Sequence, residues 1–516
     1  MTALLLLEST NRQSDNFNAQ RDLSLPVGYI FAGNSEGQIA SMASGINDLY
    51  NFNTTGLVGR VNYAYKGKYL AEFSFRNDGS SKNSPLARYG FFPGGSVGWR
   101  VSEEGFFKNT QALSFIENLK VRASYGLLGD DQSIAYQWVT GYYYPAAGEY
   151  NRRPGGYVFD GSYVNAVQSA GLNNLYYTWM KSKMFDVGID FEAWRGLLGF
   201  TFDYFRRERT GIPTTRALSL PDVAGVALPQ ENLNSDLARG FDLEINHRNK
   251  IGDFNYFVKA ILSYTRIQNL YQERAKEGNS YLNWRYNGNN RYNNTYWGYG
   301  SAGQYQNYGE IVNHPTAIGP NTVVGDYAYE DWNGDGIISE YDFRPIGYTG
   351  APLMNFGLTL GGSYKGFDFN LLIQGATMAN VSYVEQLREP QFGGGSGLSQ
   401  FTDRWHPADP NAYPYDPNTV WIPGRFAYTG TVPDVNSEFN MQDGTYFRLK
   451  SAELGYTFPT KWMSGIGVKG ARLYVNGYNL LTVSDIKYVD PEHPSDTYGY
   501  IYPLNKTYSI GLNVKF

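Results

Sequence analysis

Hydrophobic and polar residues alternate with a period of two along much of the chain. Tyr508, Ile510, Leu512, Val514 and Phe516 interleave with Ser509, Gly511, Asn513 and Lys515. Phe185, Val187, Ile189 and Phe191 interleave with Asp186, Gly188 and Asp190, and the same rhythm runs through 241–246 and 354–360. Successive side chains of a strand point to opposite faces, so each such segment has one apolar and one polar face. The pattern predicts strands near 2–12, 54–65, 69–77, 89–101, 118–128, 183–192, 197–208, 238–248, 253–266, 352–364, 367–377, 445–457, 467–480 and 506–516. Several exceed the roughly 5–6 residues of a soluble strand and reach the roughly 9–11 that a tilted strand needs to cross a bilayer.

The connections are sorted. Short links at 66–68, 193–196, 249–252 and 365–366, with a modest one at 458–466, alternate with long links at 13–53, 129–182, 209–237, 267–351, 378–444 and 481–505. Two links break the rule: 78–88 is short and 102–117 is long. In an up-and-down antiparallel sheet this parity gathers the tight turns on one rim and the long loops on the other, the form of an outer-membrane β-barrel with short periplasmic turns and long extracellular loops. A strand in lipid must pair every backbone group, which favours a closed sheet with an apolar outer face. Tyr63, Tyr65, Trp99, Phe205, Tyr364, Tyr456 and Phe458, near strand ends, suit an interfacial aromatic girdle. The alternative reading of the same alternation is a β-sandwich with a dry core. Met1–Leu7 has no basic segment before it and polar residues directly after it, so it reads as a strand and not as a secretory signal.

Composition narrows the chemistry. No run approaches the roughly 18 apolar residues of a membrane helix. The 516 residues include no Cys, which excludes a disulfide scaffold, a thiolate zinc site and a thiol nucleophile. A net charge of −5 argues against a nucleic-acid partner. Histidine occurs only at 247, 314, 406 and 493, three of them before Pro, in no zinc-binding spacing. Gly94-Gly-Ser96-Val-Gly98 fits a nucleophile elbow but lies within a strand, with no following helix and no placed base. Gly298-Tyr-Gly300-Ser-Ala-Gly303 fits a dinucleotide fingerprint without a βαβ context. The chain therefore reads as a non-enzyme that requires no cofactor.

Two constellations remain. Asp331-Trp-Asn333-Gly-Asp335-Gly336-Ile337-Ile338-Ser339-Glu340-Tyr341-Asp342 matches an EF-hand loop at positions 1, 3, 5, 6 and 12, with Asp in place of the final Glu. Asp331, Asn333, Asp335, the Ile337 carbonyl and Asp342 would supply hard oxygen ligands to a structural Ca²⁺; the alternative is an Asx-rich turn capping its own backbone. The long loops are rich in aromatics. Residues 281–308 carry Trp284, Tyr286, Tyr296 and Trp297, and 141–157 carry Tyr142, Tyr143, Tyr144, Tyr150, Arg152, Arg153 and Tyr157. Ring faces beside Asn, Gln and Arg donors suit sugar rings or peptide backbones, so the first four are the ligand-binding candidates; the alternatives are loops packing on themselves or a surface for a partner.

Several segments carry a family resemblance. RNDGSSKNSPLARYGFFPGGSVGWRVSEEGFF at 76–107, LKVRASYGLLGD at 119–130, NNLYYTWMKSKMFDVGIDF at 173–191, DYAYEDWNGDGIISEYDFRPIG at 326–347, VNGYNLLTVSDIKYVDPE at 475–492 and the closing TYSIGLNVKF resemble, in order, SusC/RagA-type TonB-linked outer-membrane transporters. The resemblance implies an all-β fold, a transmembrane antiparallel up-and-down barrel of about twenty-two strands. It further implies import of oligosaccharides or peptides, a SusD-like surface lipoprotein as partner, and energy from TonB with ExbB and ExbD. No signal peptide, TonB box or plug domain precedes residue 1, so 1–516 reads as the C-terminal portion of the barrel, about fourteen of its strands. A non-transporting, lipoprotein-docking barrel and a soluble β-rich carbohydrate-active enzyme are the other two functional expectations.

Overall fold

A computed structural model describes residues 1–14, 17–21, 39–42, 50–131, 136–143, 156–165, 168–169, 171–217, 228–315, 322–428, 436–463, 467–492 and 504–516. Its main sheet follows the chain without crossover through fourteen antiparallel strands. They are β1 Thr2–Ser14, β2 Tyr50–Tyr65, β3 Tyr69–Ser80, β4 Tyr89–Arg100, β5 Ile116–Asp130, β6 Met180–Ala193, β7 Leu198–Thr215, β8 Gln230–Ile251, β9 Phe254–Tyr271, β10 Met354–Tyr364, β11 Phe367–Thr377, β12 Tyr446–Thr457, β13 Gly470–Ser484 and β14 Thr507–Lys515. Every strand expected from the alternation is present. The largest extension is that of β8, whose first residues, Gln230–Leu237, form a ladder with the end of β7 where no alternation signals it. No helix among the described residues is long and apolar enough to cross a membrane.

The register turns local alternation into two continuous faces. Tyr63, Ala71, Val97, Ala123, Val187, Tyr204, Phe241, Tyr264 and Met354 stand side by side across nine strands. The adjacent row, on the opposite face, reads Asn62, Glu72, Ser96, Ser124 and Asp186. That second face carries ion pairs: Arg60–Glu72 at 2.6 Å, Lys120–Asp190 at 3.5 Å, Arg122–Asp186 at 3.4 Å, Lys259–Glu244 at 2.9 Å and Arg472–Glu453 at 2.7 Å. Each partly hydrated pair is worth only about 0.2–1 kcal/mol. Collectively they mark the face that meets water, and the row through Tyr63 and Phe241 is the face that meets hydrocarbon. Phe205 departs from its expected place in the girdle. It pairs with Asp186 and Gly240 in the polar row, where its ring covers Gly240; its neighbour Tyr204 takes the apolar face.

The rims differ as the connection lengths require. Turns at 66–68, 194–197, 252–253 and 365–366 lie on one rim. The long link there, 101–115, is not a loose loop. It folds into short helical turns (Val101–Glu103, Gly105–Lys108 and Gln111–Leu113). Glu104 pins it by accepting from Lys68 Nζ at 3.1 Å, Trp99 Nε1 at 3.1 Å and the Tyr69 hydroxyl. Aromatics cluster at this rim: Phe115 stacks on Trp194 at 4.8 Å, Phe367 meets Tyr456 at 4.6 Å and Tyr456 meets Phe458 at 5.2 Å.

The other rim carries 272–353 and 378–445, which build their own small cores. Tyr299, Tyr329 and Ile338 pack with Tyr327, Phe343 and Phe439, and Val381, Tyr383 and Leu387 pack with Ile486. A one-layer wall has no dry interior, so apolar burial outside the bilayer requires these loops to fold on one another.

Candidate functional site

Segment 272–353 leaves β9 and reaches the helix Ser280–Tyr286, capped by Asn279, whose side chain accepts from Leu282 N at 2.8 Å. The helix presents Trp284 to two other indoles. Trp297, on the ladder Thr295–Tyr299, meets it edge-on with centroids 5.0 Å apart. Trp332 stacks on it at 5.3 Å with planes 20° apart. The Arg291 guanidinium lies 5.3 Å from the Trp284 ring and 5.0 Å from that of Trp297, and burial lowers its pKa from the ordinary arginine range. Trp284 and Trp332 are both about two-fifths exposed, at 40% and 43%. The result is a platform of ring faces with one cation at its edge, suited to stacking against a planar or C–H-rich surface.

Of the four aromatic candidates, the structure brings Trp284 and Trp297 together. Tyr286 turns away to lie under Arg274 at 4.5 Å and Arg285 at 5.0 Å. Tyr296 donates to Asn436 Oδ1 at 3.0 Å and thereby ties 272–353 to 378–445. Trp332 and Arg291 belong to the platform and are absent from the sequence candidates. Trp332 sits one residue into the Asp-rich loop, whose carboxylates draw attention away from its indole. Tyr144, Tyr150, Arg152, Arg153 and His493 lie outside the described residues, as do the side chains of Tyr143 and Tyr157.

The Asp-rich loop adjoins the platform. Asp331 Oδ1 accepts from Gly334 N at 2.8 Å and Asp335 N at 3.2 Å, and its Oδ2 accepts from Gly336 N at 2.9 Å. Asn333 Oδ1 accepts from Asp335 N and Asp335 Oδ1 from Ile337 N, at 2.8 and 2.9 Å. Gly336, at φ +83, makes the tight turn that the spacing demands. Asp342 is wholly buried and closes the loop, accepting from Asn333 N at 3.2 Å and Ser339 N at 2.8 Å. Backbone N–H groups thus orient the side chains at positions 1, 3, 5 and 12. A carboxylate has about four lone-pair sites, so these bonds leave acceptor capacity. Among the described residues, no three acidic or histidine side chains already converge on a metal-sized point. The loop is locked to the helix by Tyr281, whose hydroxyl donates to Phe343 O at 2.7 Å and whose ring meets Tyr341 edge-on at 5.3 Å.

No family model matches the chain. Over 502 residues it is 30% identical to TonB-dependent receptor P26 of Formosa agariphila, covering 91% of this chain and 47% of that one. It is 27% identical over 466 residues to TonB-dependent receptor SusC of Bacteroides thetaiotaomicron, covering 89% and 43%. In structure it resembles the RagAB peptide importer in its open-open state, with a TM-score of 0.76 at 18% identity, covering all of this chain and 52% of that one. The chain spans about half the length of the curated relatives it matches.

Proposed function

For a chain that belongs to the SusC/RagA-type TonB-dependent receptors of the bacterial outer membrane, we propose TonB-dependent import of oligomeric nutrients, glycans or peptides, into the periplasm. The carrying observation is the two-faced sheet, with one continuous apolar row toward lipid, ion pairs toward water, and folded recognition loops confined to one rim. On this reading the wall supplies passage, the Trp284–Trp297–Trp332 platform contacts cargo, and a SusD-like lipoprotein covers the same rim. Energy on this reading comes from TonB with ExbB and ExbD, as the similarity to TonB-dependent receptors suggests. The test is uptake of labelled oligomers by cells carrying the gene, with and without TonB. Uptake should fall to background without TonB and fall in a Trp284→Ala/Trp297→Ala variant. TonB-independent uptake would refute the proposal.

The Asp-rich loop supports a second proposal, a structural Ca²⁺ held by Asp331, Asn333, Asp335, the Ile337 carbonyl and Asp342. The supporting feature is the ordered orientation of those side chains around Gly336. Ca²⁺ at millimolar concentration should raise the thermal midpoint of the wild-type protein and leave an Asp335→Ala variant unmoved. Equal behaviour of the two would retire the proposal in favour of the self-capped turn.

A further inference from the structure

The two longest outer-rim segments meet at a second cleft, apart from the indole platform. It holds about 220 Å³, less than a drug-sized ligand pocket and suited to one ring of a longer molecule. From the geometry and charge of this cleft we infer that it is a subsite for a single neutral pyranose unit of a glycan.

The floor is rigid. The Trp405 indole is 4% exposed and donates to Gln304 Oε1 at 3.3 Å. Gln304 Nε2 in turn donates to the carbonyls of Gly325 at 3.0 Å and Arg425 at 3.2 Å. Gly325 lies so close beneath the indole that a Cβ would collide with it, and its φ of +87 is one that glycine alone adopts readily. Val323 and Val324, both buried, complete the floor.

The far wall is a pinned hairpin. Pro407 and Trp421 face each other in its ladder, and Ala408 N donates to Val420 O at 2.8 Å. The tip is closed by Thr419 Oγ1 donating to Tyr413 O at 2.8 Å. Pro414, Pro417 and Pro423 in the lining each fix a backbone φ. The Trp421 ring is braced edge-on against Tyr428 at 5.3 Å. Little conformational entropy is left to lose on binding, the condition under which a small site has useful affinity.

The lining selects the ligand. Tyr308, Tyr415 and Trp421 provide ring faces, and Gln306, Asn307 and Asp416 provide polar groups. Among the described residues no Lys, Arg or His lines the cleft, and the one formally charged residue of that lining is Asp416. A sulfated or uronic-acid unit would meet a carboxylate with no counter-charge, and so would a peptide C-terminus. A neutral pyranose stacks its C–H face on the aromatic rings and donates hydroxyls to Asp416, a charge-assisted bond. The inference rests on the import reading and names its cargo class. Binding to purified protein requires no TonB, so cleft binding and uptake can fail independently.

The test measures the tryptophan fluorescence of the full chain, purified from membranes in detergent, against maltohexaose, cellohexaose and laminarihexaose, with trigalacturonate and hexa-alanine in parallel arms. At least one neutral glucan should bind, with neither of the other probes matching it. Tyr415→Ala should weaken that binding by at least about tenfold, equivalent to about 1.4 kcal/mol. Asp416→Ala should weaken it several-fold. Both side chains are exposed, and an unchanged near-ultraviolet spectrum checks that the variants fold. The inference is overturned if no neutral glucan binds, if trigalacturonate or hexa-alanine binds as tightly, or if both folded variants keep wild-type affinity.

Discussion

The indole of Trp332 lies on that of Trp284, their centroids 5.3 Å apart and their planes within 20°. One ring belongs to the Asp-rich loop and the other to the helix Ser280–Tyr286, so the stack makes a single unit of two features far apart in sequence. Offset aromatic pairs contribute about 0.5–1.5 kcal/mol beyond their buried area. If the platform contacts cargo as proposed, Trp332→Ala should weaken binding about as much as Trp284→Ala, and the double variant should lose less than the sum. Titration of the three variants against the neutral glucans named above checks this; strict additivity would mean that the rings act separately.

Asp326 gives the outer loops a pH response. Burial pushes its carboxyl up to about 6, opposed only in part by the N–H of Val323 donating at 2.8 Å, and Tyr305 and Tyr327 stand beside it. Its folded pKa lies above its ordinary value of 3.8. The native state thus binds the proton more tightly, and stability is fully present below about pH 4 and is lost as pH rises toward 6. The loss should be about 2–3 kcal/mol for a shift of this size. Hydrogen exchange across 322–330 should slow from pH 7 to pH 4.5, once corrected for intrinsic rates, and Asp326→Asn should flatten the profile.

Arg448 is 1% exposed at the outer end of β12 and pairs with Asp490 at 2.6 Å and Glu492 at 3.0 Å. Tyr446 donates to the same Glu492 at 2.6 Å. Together they fasten 485–492 to the wall. Arg448→Ala should destabilise this attachment by about 2–4 kcal/mol, toward the lower end because both carboxylates keep some contact with water. Limited proteolysis should then cut within 485–492 and should spare this region in the wild-type protein.

The assignment of faces is directly testable. Leu243 lies in the apolar row between Phe202 and Leu262; Thr201, one strand away, faces Asp190 and Glu244 on the polar side. Leu243→Arg should cost about 2–4 kcal/mol near the bilayer midplane. Thr201→Arg, placed between carboxylates, should be tolerated. Outer-membrane yield and heat-modifiable electrophoretic mobility report both.

Much of this architecture is legible from residue order because a one-layer membrane wall obeys two local rules, alternation along the strand and parity of connections. Val187 and Phe241 can each be placed on the apolar face from alternation alone. Phe205 could not be: it follows Tyr204 directly, and two adjacent aromatics give alternation nothing to choose between. The helical turns in 101–115 were hidden because Glu104, their organiser, draws its three donors from other segments. The candidate site was half visible. Trp284 and Trp297 stand out by composition, but their meeting with Trp332 and Arg291 depends on how 272–353 folds back on itself, which no periodicity encodes. The cleft beneath Tyr415 combines two loops separated by a strand pair and left no local signal.

The sorting of turns and loops separates two kinds of inheritance. Substitutions in the wall answer to the membrane, which is the same whatever the cell consumes. The segments on the loop-bearing rim pack on one another, so they can lengthen or be exchanged without disturbing a single rung below. Changes confined to the rim segments therefore leave the register of the wall as it is.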